Sequence, residues 1–351
     1  MKTIHNIIND FNLENGGAQK IVRLLHLEVN KNRNAKLLSI TKSNFKDVEN
    51  SHSFSFKSPY DLRCFFKLFY YFKNEVKNKD VIHAHLFPCS LYVSLLKKIF
   101  SHKECKYIFT EHSTNNRRKG KLWGKILNYF IYKSFHKIIA ISEGVLNSLV
   151  NEHHNLKNKV EIIYNGIPLL FKKPIKRNNN RIIVSVGRLH QLKNYEKTIK
   201  TISEIDEDFQ LYVAGEGQEK DRLIDLAKDL KVINKVKFLG FVDDIPKLLK
   251  EANIFIIMSE WEGFGLSALE AMNASLPCII SDVEGLNELI AINNKQGFLV
   301  NSNEKEKIIF LIKSLLNDIN LCNQIGKSAF TRAKKFDIKM TLEKYIEIYD
   351  E

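Results

Sequence analysis

Two glutamates, Glu262 and Glu270, flank the turn Gly263-Phe264-Gly265 in the stretch SEWEGFGLSALEA, directly after the apolar run NIFIIMS. Gly263 and Gly265 permit close backbone approach or a positive φ, and a helix beginning near Leu266 would present unpaired N–H groups to an anion. A phosphate suits such a helix start and a carboxylate beside the phosphate does not, so the two acids should face neutral hydroxyls flanking the anion. Sugar hydroxyls donate well to carboxylates; one acid can hold a ribose and the other a hexose, on either side of a diphosphate. The alternative for two acids at this spacing is a solvated helix face.

Two cations point the same way. Arg188 and Lys193 in VGRLHQLKN follow the apolar run RIIVSV, and Gly215 and Gly217 follow FQLYVA. Ligands of open α/β sheets sit beyond the carboxyl ends of the strands, and paired cations near a helix start suit a diphosphate. Taken singly, each cation also reads as a solvated loop charge.

The elements needed to position these groups are visible as alternating strands and helices. TIHNII, AKLLSI, DVIHAH, KYIFTEH and KIIAIS read as strands in the first half, with helical patterns near 17–31, 60–77, 87–100 and 121–136. RIIVSVG, FQLYVAG, KVKFLG, NIFIIMS, PCIISD and GFLV continue the rhythm, with helices expected near 193–203, 217–230, 243–251, 265–273 and 285–292 and a helical tail from about 303. Strands this apolar belong to parallel sheets covered on both faces, so the fold class is α/β with two doubly wound domains. The expected division is 1–168, an exposed linker at 169–180 rich in Asn, Lys and Pro, 181–335, and a last helix over 336–351 that can pack across the domain junction.

The chain has 351 residues and a net charge of +14, and the whole excess lies in residues 1–170, which hold 27 Lys+Arg against 13 Asp+Glu. A one-sided basic field implies a polyanionic partner: nucleic acid, an anionic membrane surface or a phosphate-bearing substrate. The run NNRRKGKLWGKILNYFIYKSFHK sets Arg117, Arg118, Lys119, Lys121 and Lys125 beside Trp123, Ile126, Leu127 and Phe130, a basic amphipathic pattern; YDLRCFFKLFYYFK is a second aromatic-rich stretch. Burial of the same aromatics against the sheet is the competing reading. The five cysteines form no C-x-x-C pair, which implies packed reduced thiols, and neither a secretory signal nor a membrane-spanning run is apparent. A cytoplasmic protein, with peripheral attachment to the inner face of the cell membrane as an option, is the expectation.

Together these motifs resemble the retaining GT-B glycosyltransferases of glycosyltransferase family four. EGFGLSALE is similar to the family's E-x7-E signature, NLENGGAQKIVRLL to its amino-terminal Gly-Gly loop and helix, and VGRLHQLKN to its basic phosphate-binding segment. VAGEG, FLGFVDDIPKLLKEANIFIIMS, SDVEGLNELI and GFLV fall in the family's order, so the resemblance runs from Asn12 to about Val300. It implies two Rossmann-like domains facing across a cleft that holds a nucleotide sugar. By matching motif, Arg188 and Lys193 would neutralise the donor diphosphate with the amides of Gly16 and Gly17. Glu270 would hold the ribose and Glu262 the transferred sugar, with the Phe264, Gly265 and Leu266 amides near sugar or phosphate oxygens and Gly240, Phe241 and Val242 beside the base. His112 in FTEHS resembles the family's active-site histidine facing the sugar; His85 in VIHAHLF reads as a second candidate or as a core hydrogen-bonding group.

The implied activity is transfer of a hexose or N-acetylhexosamine, from a donor linked to UDP by family precedent, to a saccharide or lipid-diphosphate-linked saccharide in bacterial capsule, lipopolysaccharide or glycolipid synthesis. Retention would use the leaving diphosphate to help take the acceptor proton on the same face. No nucleophile, no metal, no cofactor beyond the donor and no nucleic-acid partner is expected. The sequence departs from the family at Met258-Ser259, where Pro-Ser is usual, and at Glu284-Gly285, where Gly-Gly is common; the second change bears on how closely that loop approaches the donor. Rival readings are a nucleotide-sugar epimerase or hydrolase on the same plan, a basic nucleic-acid-binding protein without a recognisable module, and a dinucleotide oxidoreductase that lacks G-x-G-x-x-G after its first strand.

Overall fold

The computed structural model describes residues 2–12, 16–43, 48–116 and 118–351. The chain forms two compact units, Met1–Asn165 with Met340–Glu351 and Gly166–Lys339. In the first, β1 (Thr3–Ile8), α1 (Gly17–Asn32), β2 (Asn34–Thr41), β3 (Ser51–Phe56), α2 (Arg63–Asn74), β4 (Val81–His85) and α3 (Cys89–Ile99) are followed by β5 (Lys106–Glu111), α4 (Leu122–Ser134), β6 (Lys137–Ala140), α5 (Glu143–Glu152) and β7 (Val160–Ile162). The strands form one parallel sheet in the order β3-β2-β1-β4-β5-β6-β7. β1 and β4 are buried along their whole length, as near-continuous apolar strands under helices on both faces must be.

The second unit repeats the plan with β8 (Ile182–Val186), α6 (Tyr195–Ile202), β9 (Gln210–Ala214), α7 (Lys220–Asp229), β10 (Val236–Gly240), α8 (Ile245–Glu251), β11 (Ile254–Ile257), α9 (Leu266–Asn273), β12 (Cys278–Ser281) and β13 (Phe298–Val300). Its parallel order is β10-β9-β8-β11-β12-β13, and α10 (Lys305–Asn317) and α11 (Ile319–Ala333) complete it. The last helix, α12 (Ile338–Asp350), groups mostly with the first unit. In each sheet the order reverses beside the first strand, between β1 and β4 and between β8 and β11; these switch points open crevices for ligands.

Some elements differ from the sequence expectation. β3 and β7 are edge strands without apolar runs, SHSFSF and VEI, and α5 is a ten-residue helix started by Ser142, whose hydroxyl accepts from Val145 N at 3.1 Å. The helix expected over 285–292 is one 3-10 turn, Asn287–Leu289, because Gly285 sits at φ +83 against neighbouring backbone and Ile290 is already extended. Residues 169–180, expected as a linker, lie on the second unit. Phe171 N donates to Asn273 at 3.3 Å and Ile175 N to Ser275 at 3.0 Å, while the buried Arg177 guanidinium donates to the Leu249, Lys250 and Ala252 carbonyls. All five cysteines are free and buried.

Candidate functional site

At the switch point of the second unit, the chain leaves β8 through Gly187, whose carbonyl accepts from the Tyr195 hydroxyl at 2.8 Å. The glycines after β9 serve close approach: a Cβ on Gly215 would lie 2.0 Å from Gly187 O, and one on Gly217 2.1 Å from Leu189 O. This packs two strand ends tightly and leaves Arg188 exposed, its guanidinium without an ion-pair or hydrogen-bond partner among the described residues. Lys193 closes a 3-10 turn, Gln191–Lys193, and Asn194 at φ 54 redirects the chain into α6, so Lys193 precedes the helix rather than opening it.

The loop after β11 is fastened to this one. Glu260 N donates to Leu192 O at 2.9 Å, and Ser281 Oγ from β12 donates to Ser259 O at 2.7 Å. Ser259 Oγ in turn donates to Glu262 Oε1 at 2.9 Å, and Lys193 Nζ donates to the same oxygen. Lys193 and Glu262, expected on different parts of a donor, thus form a half-buried ion pair with side-chain exposures of 24% and 12%. Gly265 adopts φ 87 as the N-cap of α9 and makes no side-chain cap bond, so Leu266 and its neighbours begin the helix with amides available to an anion. Phe264 is buried edge-on against Phe336 at 5.4 Å, so its ring anchors the turn and only its backbone can serve a ligand.

Glu270 lies one turn into α9 and is half-buried. The loop at Glu284-Gly285 lies close to this turn through its glycine: a Cβ on Gly285 would sit 2.5 Å from Glu262 O and 2.7 Å from Gly263 O. Gly240 ends β10 at φ 69 with the Glu216 carboxylate against it, followed by half-exposed Phe241 and Val242. Arg188, Lys193, Glu262, Gly265, Leu266 and Glu270 therefore gather at the carboxyl ends of β8 and β11, with Gly240 to Val242 two strands away on the same edge.

In the first unit, Gly16 is the N-cap of α1 at φ 144 without a side-chain cap bond and Gly17 opens the helix; Leu13 to Asn15 of the expected loop lie outside the described residues. His112 follows β5 and its Nε2 lies 3.2 Å from Nδ1 of His85, the last residue of β4. His83, two residues earlier and so on the same sheet face, packs against His85 with ring centroids 4.0 Å apart and the rings tilted at 42°. Its Nδ1 meets Tyr349 OH at 2.6 Å and its Nε2 meets Thr110 Oγ1 at 2.8 Å, which meets Tyr345 OH at 3.2 Å. Burial pushes His112 down to about 3 and His83 and His85 well below the usual imidazole range, so the rings are neutral. The sequence reading missed His83, Thr110, Tyr345 and Tyr349; the His-x-His alternation on a strand and the i,i+4 tyrosines of the tail were the available signals.

The basic run is only partly a surface feature. Arg118 lies over the Phe87 ring at 3.7 Å and donates to Asn128 at 2.9 Å, and Lys119 reaches Ser148 at 2.6 Å and Thr114 O at 2.9 Å; Arg117 lies outside the described residues. Lys121 and Lys125 are exposed, as are Leu122, Trp123 and Ile126 at 78%, 57% and 62%. Leu127 and Phe130 are half-buried. A second stripe, Leu62, Phe66 and Tyr70, projects beside Arg63 and Lys67. Among the described residues no helix is long and apolar enough to cross a membrane, and no group of three or more His, Cys, Asp or Glu is placed to hold a metal.

Two doubly wound parallel units of this kind define the GT-B class of glycosyltransferases. The family model described as glycosyltransferase family 4 matches residues 32–169, and that described as glycosyl transferases group 1 matches residues 167–332. The chain belongs to this family and is a glycosyltransferase. It is 30% identical to the Campylobacter jejuni N-acetylgalactosamine-N,N'-diacetylbacillosaminyl-diphospho-undecaprenol 4-alpha-N-acetylgalactosaminyltransferase, over 70% of each chain. It is 25% identical to the Escherichia coli UDP-Gal:alpha-D-GlcNAc-diphosphoundecaprenol alpha-1,3-galactosyltransferase, over 82% of this chain and 79% of the relative. Among solved structures it resembles Anabaena HepE in complex with UDP and glucose, with a TM-score of 0.85, 18% identity and full coverage of both chains.

Proposed function

We propose that the protein is a retaining, metal-independent glycosyltransferase that moves a hexose or N-acetylhexosamine from a UDP-linked donor to a lipid-diphosphate-linked saccharide in surface-polysaccharide or glycolipid synthesis. The observation that carries the reading is the gathering of Arg188, Lys193, Glu262, Glu270 and the uncapped start of α9 at the β8/β11 switch point. Arg188, Lys193 and the α9 amides neutralise the charge that develops on the leaving diphosphate, the term expected to dominate catalysis, and two fixed cations there take the place of a divalent ion. Glu270 holds the ribose and Glu262 the transferred sugar; Gly240, Phe241 and Val242 flank the base. In the first unit, Gly16 and Gly17 add amides for phosphate oxygens, and neutral His112 serves as a hydrogen-bond partner of the sugar rather than as a base. No cofactor takes part. The lipid-linked acceptor is supported by the undecaprenol-linked substrates named for two relatives and by the exposed apolar residues of α4 beside Lys121 and Lys125, which suit an anionic membrane surface.

The test is a binding and turnover screen across UDP-, GDP- and dTDP-sugars with wild-type protein and Glu270→Ala. One donor class should bind, the variant should lose that binding by about tenfold or more, equivalent to one charged hydrogen bond, and UDP release should require an acceptor. Equal binding by both proteins would refute the ribose assignment, and stoichiometric donor breakdown without acceptor would favour a hydrolase.

A further inference from the structure

His85 touches His112 through one nitrogen pair, Nδ1 to Nε2 at 3.2 Å. The remaining nitrogens, His85 Nε2 and His112 Nδ1, are buried without a hydrogen-bond partner among the described residues. Two neutral imidazoles bonded this way share a single proton: one ring donates, the other accepts, and the tautomer of each fixes that of the other. His112 can therefore change which nitrogen carries its hydrogen only if His85 changes with it. His85 is itself held from behind, since its ring packs on His83, and both nitrogens of His83 are engaged by Tyr349 and Thr110. Thr110 continues to Tyr345, so both tyrosines of α12 back the histidine layer.

We propose that His85 is a positioning residue for His112, holding its ring in one orientation and one tautomer through the Nδ1–Nε2 hydrogen bond, against a support of His83, Thr110 and the α12 tyrosines. The inference rests on the reading of His112 as a site residue for its functional meaning, but not for its test. An asparagine amide overlies the Nδ1 edge of a histidine and can give or take the same bond, whereas a glutamine amide overlies Nε2; His85→Asn should preserve the arrangement and His85→Gln should not. His85→Phe keeps a ring against His83 and removes both nitrogens.

The experiment is long-range proton–nitrogen NMR on the full chain labelled with nitrogen-15 histidine, with His112 assigned by His112→Gln. Wild type and His85→Asn should each show one protonated-type and one bare-type nitrogen for His112. In His85→Gln and His85→Phe the two signals should collapse toward a common averaged position. Identical His112 signals in wild type, His85→Gln and His85→Phe, or averaged signals already in wild type, would overturn the proposal. Turnover in the donor screen should fall by about tenfold or more in His85→Phe, as expected for a displaced site group, and recover in His85→Asn. Full turnover by His112→Ala would remove His112 from the reaction while the NMR result still decides whether His85 sets its tautomer.

Discussion

Lys193 Nζ and Ser259 Oγ donate to the same carboxylate oxygen of Glu262, so the acid is held by two donors from two different loops of the second unit. The pair ties the residue after β8 that should meet a diphosphate to the residue after β11 that should meet a sugar. A donor anion must compete with Glu262 for Lys193. Glu262→Gln relieves that competition and replaces the charged acceptor of the sugar hydroxyl with a weaker, neutral amide carbonyl. We expect UDP to bind about two- to fivefold more tightly to Glu262→Gln, within the usual range for a partly screened ion pair, while kcat falls at least about a hundredfold. Calorimetric titration with UDP and steady-state turnover check the two halves separately; weaker UDP binding would show that the carboxylate supports Lys193 rather than restraining it.

Gly285 should tolerate no side chain. It adopts φ +83, and an added Cβ would meet the carbonyls of Glu262 and Gly263 at 2.5 and 2.7 Å. Left-handed strain and overpacking together should cost Gly285→Ala about 2 to 4 kcal/mol. Because the displaced carbonyl belongs to Glu262 itself, KM for the donor should rise along with the loss of thermal stability. A variant with wild-type melting and KM would mean the loop moves aside freely.

The contrast between Glu262 and His83 shows what could be read from the chain in advance. Both sheets follow from their central strands, which are mostly apolar, and the loop residues at the β8/β11 switch follow once the parallel order is assumed. Edge strands β3 and β7 were illegible because an edge needs little burial, so SHSFSF and VEI carry no apolar run. The short turn at Asn287–Leu289 read as a helix because its amphipathic spacing outlasts its hydrogen bonding; Gly285 breaks the segment for reasons of contact with residues 262–263 that no local pattern reveals. The support behind His85 and His112 was hidden for the same cause: Tyr345 and Tyr349 lie more than 230 positions after the residues they touch.

The α4 surface carries a separate expectation. Leu122, Trp123 and Ile126 project outward with Lys121 and Lys125, whereas Arg118 and Lys119 spend their charges inside the first unit. Vesicles containing phosphatidylglycerol should therefore sediment the protein, neutral phosphatidylcholine vesicles should not, and added salt should release it, since each basic residue near an anionic surface is worth about 1 kcal/mol. Combining Trp123→Ser with Ile126→Ser should reduce sedimentation several-fold, and so should reversing Lys121 and Lys125 to glutamate. Changing Arg118 or Lys119 should act on folding stability instead. Equal retention of all variants on the vesicles would place the attachment elsewhere.

The neutral histidines make the first unit sensitive to acid. His26, His83, His85, His112, His136 and His153 all titrate below their ordinary value of 6.5, chiefly because burial disfavours the charged ring, with His112 at about 3 and His136 at about 4. All six belong to the first unit. An unfolded chain takes up these protons as pH falls through 6.5 while the folded unit refuses them, so stability is flat above that point and declines below it toward the folded values. Each such group contributes up to about 1.4 kcal/mol per pH unit within its window. Asp80, whose carboxyl is lowered by His5 and the Thr3 and Lys77 amides against the opposing pull of burial, adds its own loss only at lower pH, below its ordinary 3.8. Scanning calorimetry should show a first-unit transition that is steady from about pH 8 to 7 and moves down steeply by about pH 5, with the second-unit transition shifting far less. His112→Gln should make the decline shallower by one proton, because a glutamine takes up no proton in either state; a first-unit midpoint that does not move between pH 7 and 5 would show that these rings charge inside the fold.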